Sequence, residues 1–464
     1  MATGKKKTQS KYIYRFLCGL LLTAGAVAMF MYIWHEFVEY DNTKGYLLGY
    51  GNLGMSAIAY AGVVFVLFRG LGVFRIGVDR KMNLIVALIL GLFMTDIMEV
   101  FISSAIIGNF RFAPVFIRKY FKLWFLQSAV LGITDSFMIS LYKYIFPPLE
   151  VLEIYGDYGH DLRTKIDSRP DKYKVAKSIK CTESIDEICS EMGNFDAVLL
   201  NDLPSEIKNK ILKLCLEKNK RVYFTPKISD IIVKASNDLN LFDTPLCFNR
   251  NMGMSFRQRF AKRTVDIVLS LIALIITSPI LLIVSLCIKL EDHGPVFFKQ
   301  ERVTKDGKHF MILKFRSMIV DAEKDGKSHP AGEKDPRITH IGSFIRATRI
   351  DELPQLINIL KGDMSIVGPR PERWEHVEEY SKEIPEFPLR LKVKGGLTGY
   401  AQVYGKYNTD ALDKLKLDLM YIENYSLLLD FQIICETVRV VLQKESTEGF
   451  DAAKAKELHD KAGQ

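Results

Sequence analysis

The chain has 464 residues, 48% of them hydrophobic, and a formal net charge of +9. That length leaves room for two or three domains. Its seven cysteines include no C-x-x-C pair, which argues against a disulfide framework or a zinc site and fits a reducing compartment or burial in a membrane.

Four apolar runs open the chain, at roughly 12–34, 46–68, 84–108 and 121–146. Each reaches the length of about 20 residues that crosses about 30 Å of hydrocarbon. No small-residue cleavage site follows the first run, so a removable signal segment is not expected. Lys5, Lys6, Lys7, Lys11 and Arg15 flank the first run, and Arg69, Arg75, Arg80 and Lys81 crowd the loop after the second. Counting positive charges places the N-terminus inside, although Arg111, Arg118 and Lys119 in the third loop run against that count. An even number of spans leaves everything after Pro148 in the cytoplasm. Asp96 and Glu99 lie one turn apart in the third span. They either face a neighbouring helix or mark a functional position, since charge inside a membrane is costly.

Residues 150–250 alternate VLEIYG, YKVAKSI, DAVLLN and RVYFTP with amphipathic stretches, the rhythm of a small parallel βαβ sheet. The first strand runs into Gly156 and Gly159 without completing G-x-G-x-x-G, so a structural or regulatory module is expected rather than a dinucleotide site. A fifth apolar run, Val265 to Ile288, holds Asp266 as its only charge and Ser278-Pro279 near its middle. Proline removes a backbone donor and can bend a helix, and the serine can bond a freed carbonyl. Spanning and re-entrant readings both stand. Arg257, Arg259, Lys262 and Arg263 before the run and Lys289 after it favour a hairpin with both ends on one face.

Next come VFFKQERV and HFMILKFRSM, joined by Asp306-Gly307, which predict a β-hairpin. Lys299, Arg302, Lys314 and Arg316 make it basic: either an anion site or a solvated face near acidic lipid. In RIDELPQL, Asp351 and Glu352 precede Pro354 and a helical pattern of Leu353, Leu356, Ile357 and Leu360. Those eight residues alone read as a helix start, with Asp351 as N-cap and Glu352 favoured by the helix dipole. Arg346, Arg349 and the rigid GPRPE loop with Arg370 and Glu372 shift the balance. A carboxylate ringed by arginines is either an ion-pair lattice or a nucleophile facing a phosphoryl group.

KRTVDIVLSLIALIITSPILLIVSLCIKLEDHGPVFFKQERV, KFRSM, DELPQLINILKGDMSIVGPRPE and GLTGYAQVYG together resemble the bacterial sugar transferase family, over about residues 256–444. These are monotopic phosphoglycosyl transferases acting on polyprenyl phosphate. The preceding spans and α/β module resemble its long form, the polyprenyl-phosphate hexose-1-phosphate transferases. The resemblance implies a membrane protein of α plus α/β class. Residues 1–148 would form a four-span transmembrane region and 149–250 a Rossmann-like α/β module. Residues 256–444 would form a mainly α catalytic domain, with a re-entrant helix at 264–290 and interfacial amphipathic helices, before a polar tail at 445–464.

It also implies a reaction. Asp351 attacks the β-phosphate of a UDP-sugar, UMP leaves, and undecaprenyl phosphate takes the sugar phosphate from the aspartate. Glu352 supports the pair, Mg²⁺ at Asp351 neutralises the diphosphate, and Arg346 holds the lipid phosphate. Ser278 and Pro279 break the membrane hairpin, while Lys314, Arg316, Arg370, Glu372, Gln402 and Lys406 contact the nucleotide sugar. Lys406 stands where the family usually has an arginine, and Arg349 and Ile350 occupy variable positions. The setting implied is the bacterial inner membrane, with the catalytic domain on the cytoplasmic face, at the first membrane step of exopolysaccharide, capsule or O-antigen synthesis. A homodimer is expected and a nucleic-acid partner is not. Two other readings compete: a membrane-bound nucleotide-sugar dehydratase or epimerase, and a non-enzymatic nucleotide-sensing scaffold.

Overall fold

The structure is a computed structural model that describes residues 2–40, 50–107, 110–156, 162–249, 253–320, 322, 335–405 and 409–441. Gly159, Lys406 and the tail 445–464 lie outside the described residues. Two compact units, Met1–Thr225 and Pro226–Phe450, divide the chain.

The first unit opens with four helices, α1 (Ala2–Tyr40), α2 (Tyr50–Leu71), α3 (Lys81–Ile107) and α4 (Ala113–Ile145). Each contains a stretch long and apolar enough to cross a membrane. α1 packs against α2 and α4, and α3 packs against the same two. Phe30 stacks on Tyr60 with ring centres 4.0 Å apart. The Tyr60 hydroxyl donates to Asp96 Oδ1 at 2.9 Å. Gln127 Nε2 donates to the Ala26 carbonyl at 2.9 Å. Asp96 and Glu99 are therefore interior groups of the helix bundle, both buried.

The α/β part of this unit follows as β1 (Leu149–Tyr155), α5 (Leu162–Asp167), β2 (Tyr173–Lys180), α6 (Ile185–Glu191), β3 (Ala197–Asn201), α7 (Ser205–Glu217) and β4 (Arg221–Phe224). The strands are all parallel in the order β2-β1-β3-β4. Alternate residues cover opposite faces. Leu152, Ile154 and Leu200 pack with Ile188 and Ile211, whereas Val151 and Leu199 pack with Leu162 and Ile166. Burial on both faces explains the fully apolar start of the central strand β3, AVLLN, whereas the edge strand β2 is largely exposed. Gly156 ends β1 where a side chain would meet the Asp202 carbonyl 2.4 Å away, so close backbone approach accounts for this glycine.

The second unit starts with α8 (Ile228–Lys234), whose Ile231 enters that unit's core, and an antiparallel hairpin of β5 (Asn237–Leu241) and β6 (Thr244–Phe248). Then comes α9 (Phe256–Asp292), one α-helix through Pro279, begun by a capping box of Ser255 and Gln258. The Ser278 hydroxyl donates to the Ile275 carbonyl at 2.8 Å. This is the acceptor that Pro279, four residues later, cannot serve. The expected hairpin forms as β7 (Phe297–Val303) and β8 (His309–Phe315). The rest comprises α10 (His340–Ala347), α11 (Gln355–Lys361), β9 (Ser365–Val367), α12 (Trp374–Glu383), β10 (Gly396–Thr398), α13 (Tyr400–Tyr404), α14 (Ala411–Glu423) and α15 (Leu427–Val441).

Both ends of α9 are fastened to this unit. Near the start, Asp266 accepts from Ser365 Oγ at 2.8 Å and the Ile366 amide at 3.0 Å. Lys262 pairs with buried Asp430 at 2.7 Å. Arg263 donates to the carbonyls of Ile359 and Leu360, the last turn of α11, where cations suit the helix dipole. At the far end Asp292 pairs with Arg316, and Glu291 Oε1 accepts from the His340 amide at 2.8 Å. Between them, Ala273 and Leu274 pack with Ile359, and Val284 and Ile288 pack with Ile345. The outer face stays bare: Leu271, Ile275, Ile276, Leu282, Ile283 and Leu286 are all exposed.

Candidate active site

The segment between α10 and α11 does not form the helix start that RIDELPQL suggests. Arg349 adopts a left-handed conformation (φ 59°), and Ile350–Glu352 forms a single 3-10 turn. α11 begins only at Gln355, after Pro354. Asp351 is therefore not an N-cap. Pro354 has no amide to give a cap at the third position after Asp351. A non-glycine residue in the left-handed region costs free energy and is found where the surroundings enforce it, often at functional sites.

Two structural grips aim side chains at this turn. Asn358 on α11 accepts from the Leu313 amide at 2.9 Å and donates to the Met311 carbonyl at 2.9 Å, locking β8 to α11. Lys314 on β8 then reaches Glu352 Oε1 at 2.8 Å. The Gly368-Pro369-Arg370-Pro371 loop is held by β10: Gly396 donates to the Pro369 carbonyl at 2.8 Å. A side chain at Gly396 would stand 2.1 Å from the Gly368 nitrogen, so only glycine allows the two segments to meet. From this loop Arg370 Nη2 donates to Glu352 Oε1 at 3.1 Å. Its own carbonyl accepts from Arg390 Nη2 at 3.1 Å, and Arg390 is anchored on buried Asp418 at 2.8 Å.

The two neighbouring carboxylates are thereby made unlike. Burial pushes Glu352 up, but Arg370 and Lys314 outweigh it and hold its carboxyl far below the usual range. Asp351 moves the other way: burial raises it and the Glu352 charge adds to that, opposed by Lys314, Arg349 and Arg346. Asp351 Oδ1 is buried and has no hydrogen-bond partner among the described residues. Glu352 is an anion bonded directly to two cations; Asp351 feels cations nearby but keeps an oxygen to spare. Beside them Arg302, Lys314, Gln355 and Arg370 line a cleft of about 10 Å³, room for about one water.

Of the residues singled out in the sequence, Asp351, Glu352, Lys314 and Arg370 come together, with the Arg346 charge close by. Glu372 stands one step behind, 3.7 Å from Arg302 and 3.6 Å from Arg390. Arg316 is spent elsewhere: it clasps Asp292 and donates to the Pro295 carbonyl at 2.6 Å, tying the end of β8 to the end of α9. The Gln402 amide donates to the Leu397 carbonyl at 3.4 Å. Sequence reasoning passed over Asn358, Arg390 and Asp418. Nothing local marks them, because their partners lie far along the chain. Asp266 did carry a signal, as the sole charge in an apolar run.

Residues 257–444 match the family model described as bacterial sugar transferase. A UDP-N-acetylgalactosamine-undecaprenyl-phosphate N-acetylgalactosaminephosphotransferase of Aeromonas hydrophila is 46% identical over 186 residues, 39% of this chain and 44% of that protein. A UDP-glucose:undecaprenyl-phosphate glucose-1-phosphate transferase of Escherichia coli is 45% identical over 203 residues, 43% of this chain and 42% of that protein. A protein of the same name from Caulobacter vibrioides is 40% identical over 191 residues, 40% of this chain and 71% of its own length. The chain thus spans about half the length of the first two relatives, 44% and 42%. The matched segment contains the 3-10 turn, both cationic partners of Glu352 and the whole of α10 and α11, and on these grounds the chain belongs to the bacterial sugar transferase family.

Proposed function

We propose that this protein transfers a sugar 1-phosphate from a UDP-sugar to undecaprenyl phosphate, with Asp351 as nucleophile. The observation that carries the reading is the contrast within the pair: Glu352 is held by two cations, while Asp351 Oδ1 is buried without a partner. A Asp351 oxygen attacks the phosphorus bonded to the sugar oxygen, and the bond to the UMP oxygen breaks. Undecaprenyl phosphate then attacks the same phosphorus and frees the aspartate. Lys314, Arg370 and Arg346 stabilise the charge that gathers on the phosphoryl oxygens. Glu352, pinned between Lys314 and Arg370, keeps those cations in place.

Among the described residues, no group of three His, Cys, Asp or Glu could hold a metal alone. The open Asp351 oxygen does fit Mg²⁺, which usually takes one or two carboxylates together with substrate phosphates. Such an ion would neutralise diphosphate charge. The relatives' names specify N-acetylgalactosamine and glucose, so the sugar itself is left to a screen of UDP-sugars for UMP release.

The lipid substrate asks for a catalytic unit at the bilayer surface. α9 would be about 55 Å long if straight, more than enough to cross, yet both of its ends are bonded to the same unit. That supports a helix that enters from the cytoplasmic face and returns to it, with its bare apolar side in lipid. Single cysteines at Arg257 and at Lys289 should be labelled from one side only; labelling from opposite sides would restore a spanning helix.

The acid limb of activity follows from Asp351. Its carboxyl must be ionised to attack, and its pKa lies above the ordinary carboxylate value. Activity is therefore lost as pH falls through that raised value. Lys314 opposes the rise, so Lys314→Met should move the acid limb of kcat/KM to higher pH and lower its plateau. An unmoved limb would detach Lys314 from the nucleophile.

A further inference from the structure

Within the first unit a cavity of about 270 Å³ opens where α1 and α4 meet the sheet. Lys11, Arg15, Lys143, Lys172 and Arg221 line it, against two acids, Asp79 and Asp171. Asp171 is already matched by Arg169 at 2.9 Å, which leaves Arg15, Lys143 and Lys172 facing Asp79. Among the described residues Arg15 Nε is buried without a hydrogen-bond partner, while its Nη2 donates to the Tyr142 hydroxyl at 3.2 Å. Burial pushes the Lys172 ammonium down; Arg169 and Arg15 add to this, and Tyr223 opposes it. Tyr142, Phe146 and Tyr223 supply ring walls.

The cavity lies at the amino ends of the strands: Leu149 opens β1, Lys172 precedes β2 and Arg221 opens β4. Parallel α/β sheets hold ligands beyond the carboxyl ends, so this is not the fold's customary crevice. It sits instead at the ends of two apolar helices, where basic pockets meet lipid head groups. Arg15, Lys143 and Lys172 around one space exceed what Asp79 alone would balance; a phosphate monoester or diphosphate supplies the complementary charge.

We propose that this cavity binds a phosphate-bearing anion, held by Arg15 and Lys172 with its remainder against Tyr142 and Tyr223. A lipid head group and a soluble nucleotide share that chemistry, and both fit the position. The site is separate from Asp351 and does not depend on the transfer reaction.

The test uses the full chain in nanodiscs and reads lysine acetylation by mass spectrometry. Inorganic diphosphate should protect Lys172 and Lys143 by about tenfold relative to exposed Lys210, which serves as the control. The double variant Lys143→Gln/Lys172→Gln should retain transfer activity and Tm but weaken diphosphate binding by about tenfold, or about 1.4 kcal/mol. Lys172→Arg should keep the binding. Protection by phosphatidylglycerol in the disc, but not by ATP, would assign a head group; the reverse would assign a nucleotide. Equal labelling of Lys172 with and without diphosphate, phosphatidylglycerol and ATP would overturn the proposal. So would a folded double variant with unchanged affinity.

Discussion

Asp351→Asn is expected to abolish both UMP release and lipid-linked product, by a factor on the order of 10³–10⁶, if Asp351 is the nucleophile proposed above. The amide keeps the shape of the carboxylate but cannot attack phosphorus. Because Asp351 Oδ1 has no hydrogen-bond partner to lose, and its charge lies against that of Glu352, the variant should be at least as stable as the parent. Glu352→Gln should behave in the opposite sense. It leaves Lys314 and Arg370 without their anion, which costs about 1–3 kcal/mol, the lower end being favoured because the Arg370 side chain is 41% exposed. Its activity should fall as well. A transfer assay with radiolabelled UDP-sugar, paired with thermal unfolding of each variant, separates the two roles. Full activity of Asp351→Asn would overturn the mechanism, and equal stability losses in the two variants would overturn the division of labour.

Arg390→Met produces the largest expected loss of stability. Arg390 and Asp418 are 4% and 1% exposed at the side chain, and removing one partner of such a pair leaves a buried charge, at about 3–5 kcal/mol. Burial already pushes Asp418 up to about 6 despite Arg390, and removing the arginine would push it further up. The Arg370 carbonyl also loses its donor, and the loop that aims Arg370 at Glu352 loosens. Activity should therefore drop even in preparations that remain folded. Arg390→Met/Asp418→Leu should recover most of the stability and little of the activity. Chemical unfolding in a fixed detergent measures the first, and UMP release the second. A stability loss below about 1 kcal/mol for Arg390→Met would show that the pair is not buried as described.

Much of the architecture was legible along the chain. The four opening helices, the parallel strands and the β7–β8 hairpin each carry a local signal: an apolar run of membrane length, short apolar runs alternating with amphipathic stretches, or Asp306-Gly307 at a hairpin tip. Ser278 and Pro279 were marked by chemistry alone, and the serine does serve the Ile275 carbonyl. Boundaries were less legible. The chain divides at Thr225 and Pro226, because Ile231 finds its apolar partners in the second unit, which no window of sequence reveals. The helix start at Asp351 was misread for a related reason. The local pattern favours a cap there, but Arg349 turns left-handed and the following residues close a 3-10 turn instead.

By itself the sequence determined which residue types stand in which order: the apolar runs, the Asp351–Glu352 pair and the motifs shared with the bacterial sugar transferases. These are local or linear properties, and they survive without a fold. Only the tertiary structure decided what the two carboxylates become. Lys314 and Arg370 lie 38 and 18 positions from Glu352, and both arrive at the same oxygen. Among the described residues, no hydrogen-bond donor reaches Asp351 Oδ1. Charge compensation depends on distance in space, so the same two adjacent acids end as one carboxylate held by two cations and one with an open oxygen.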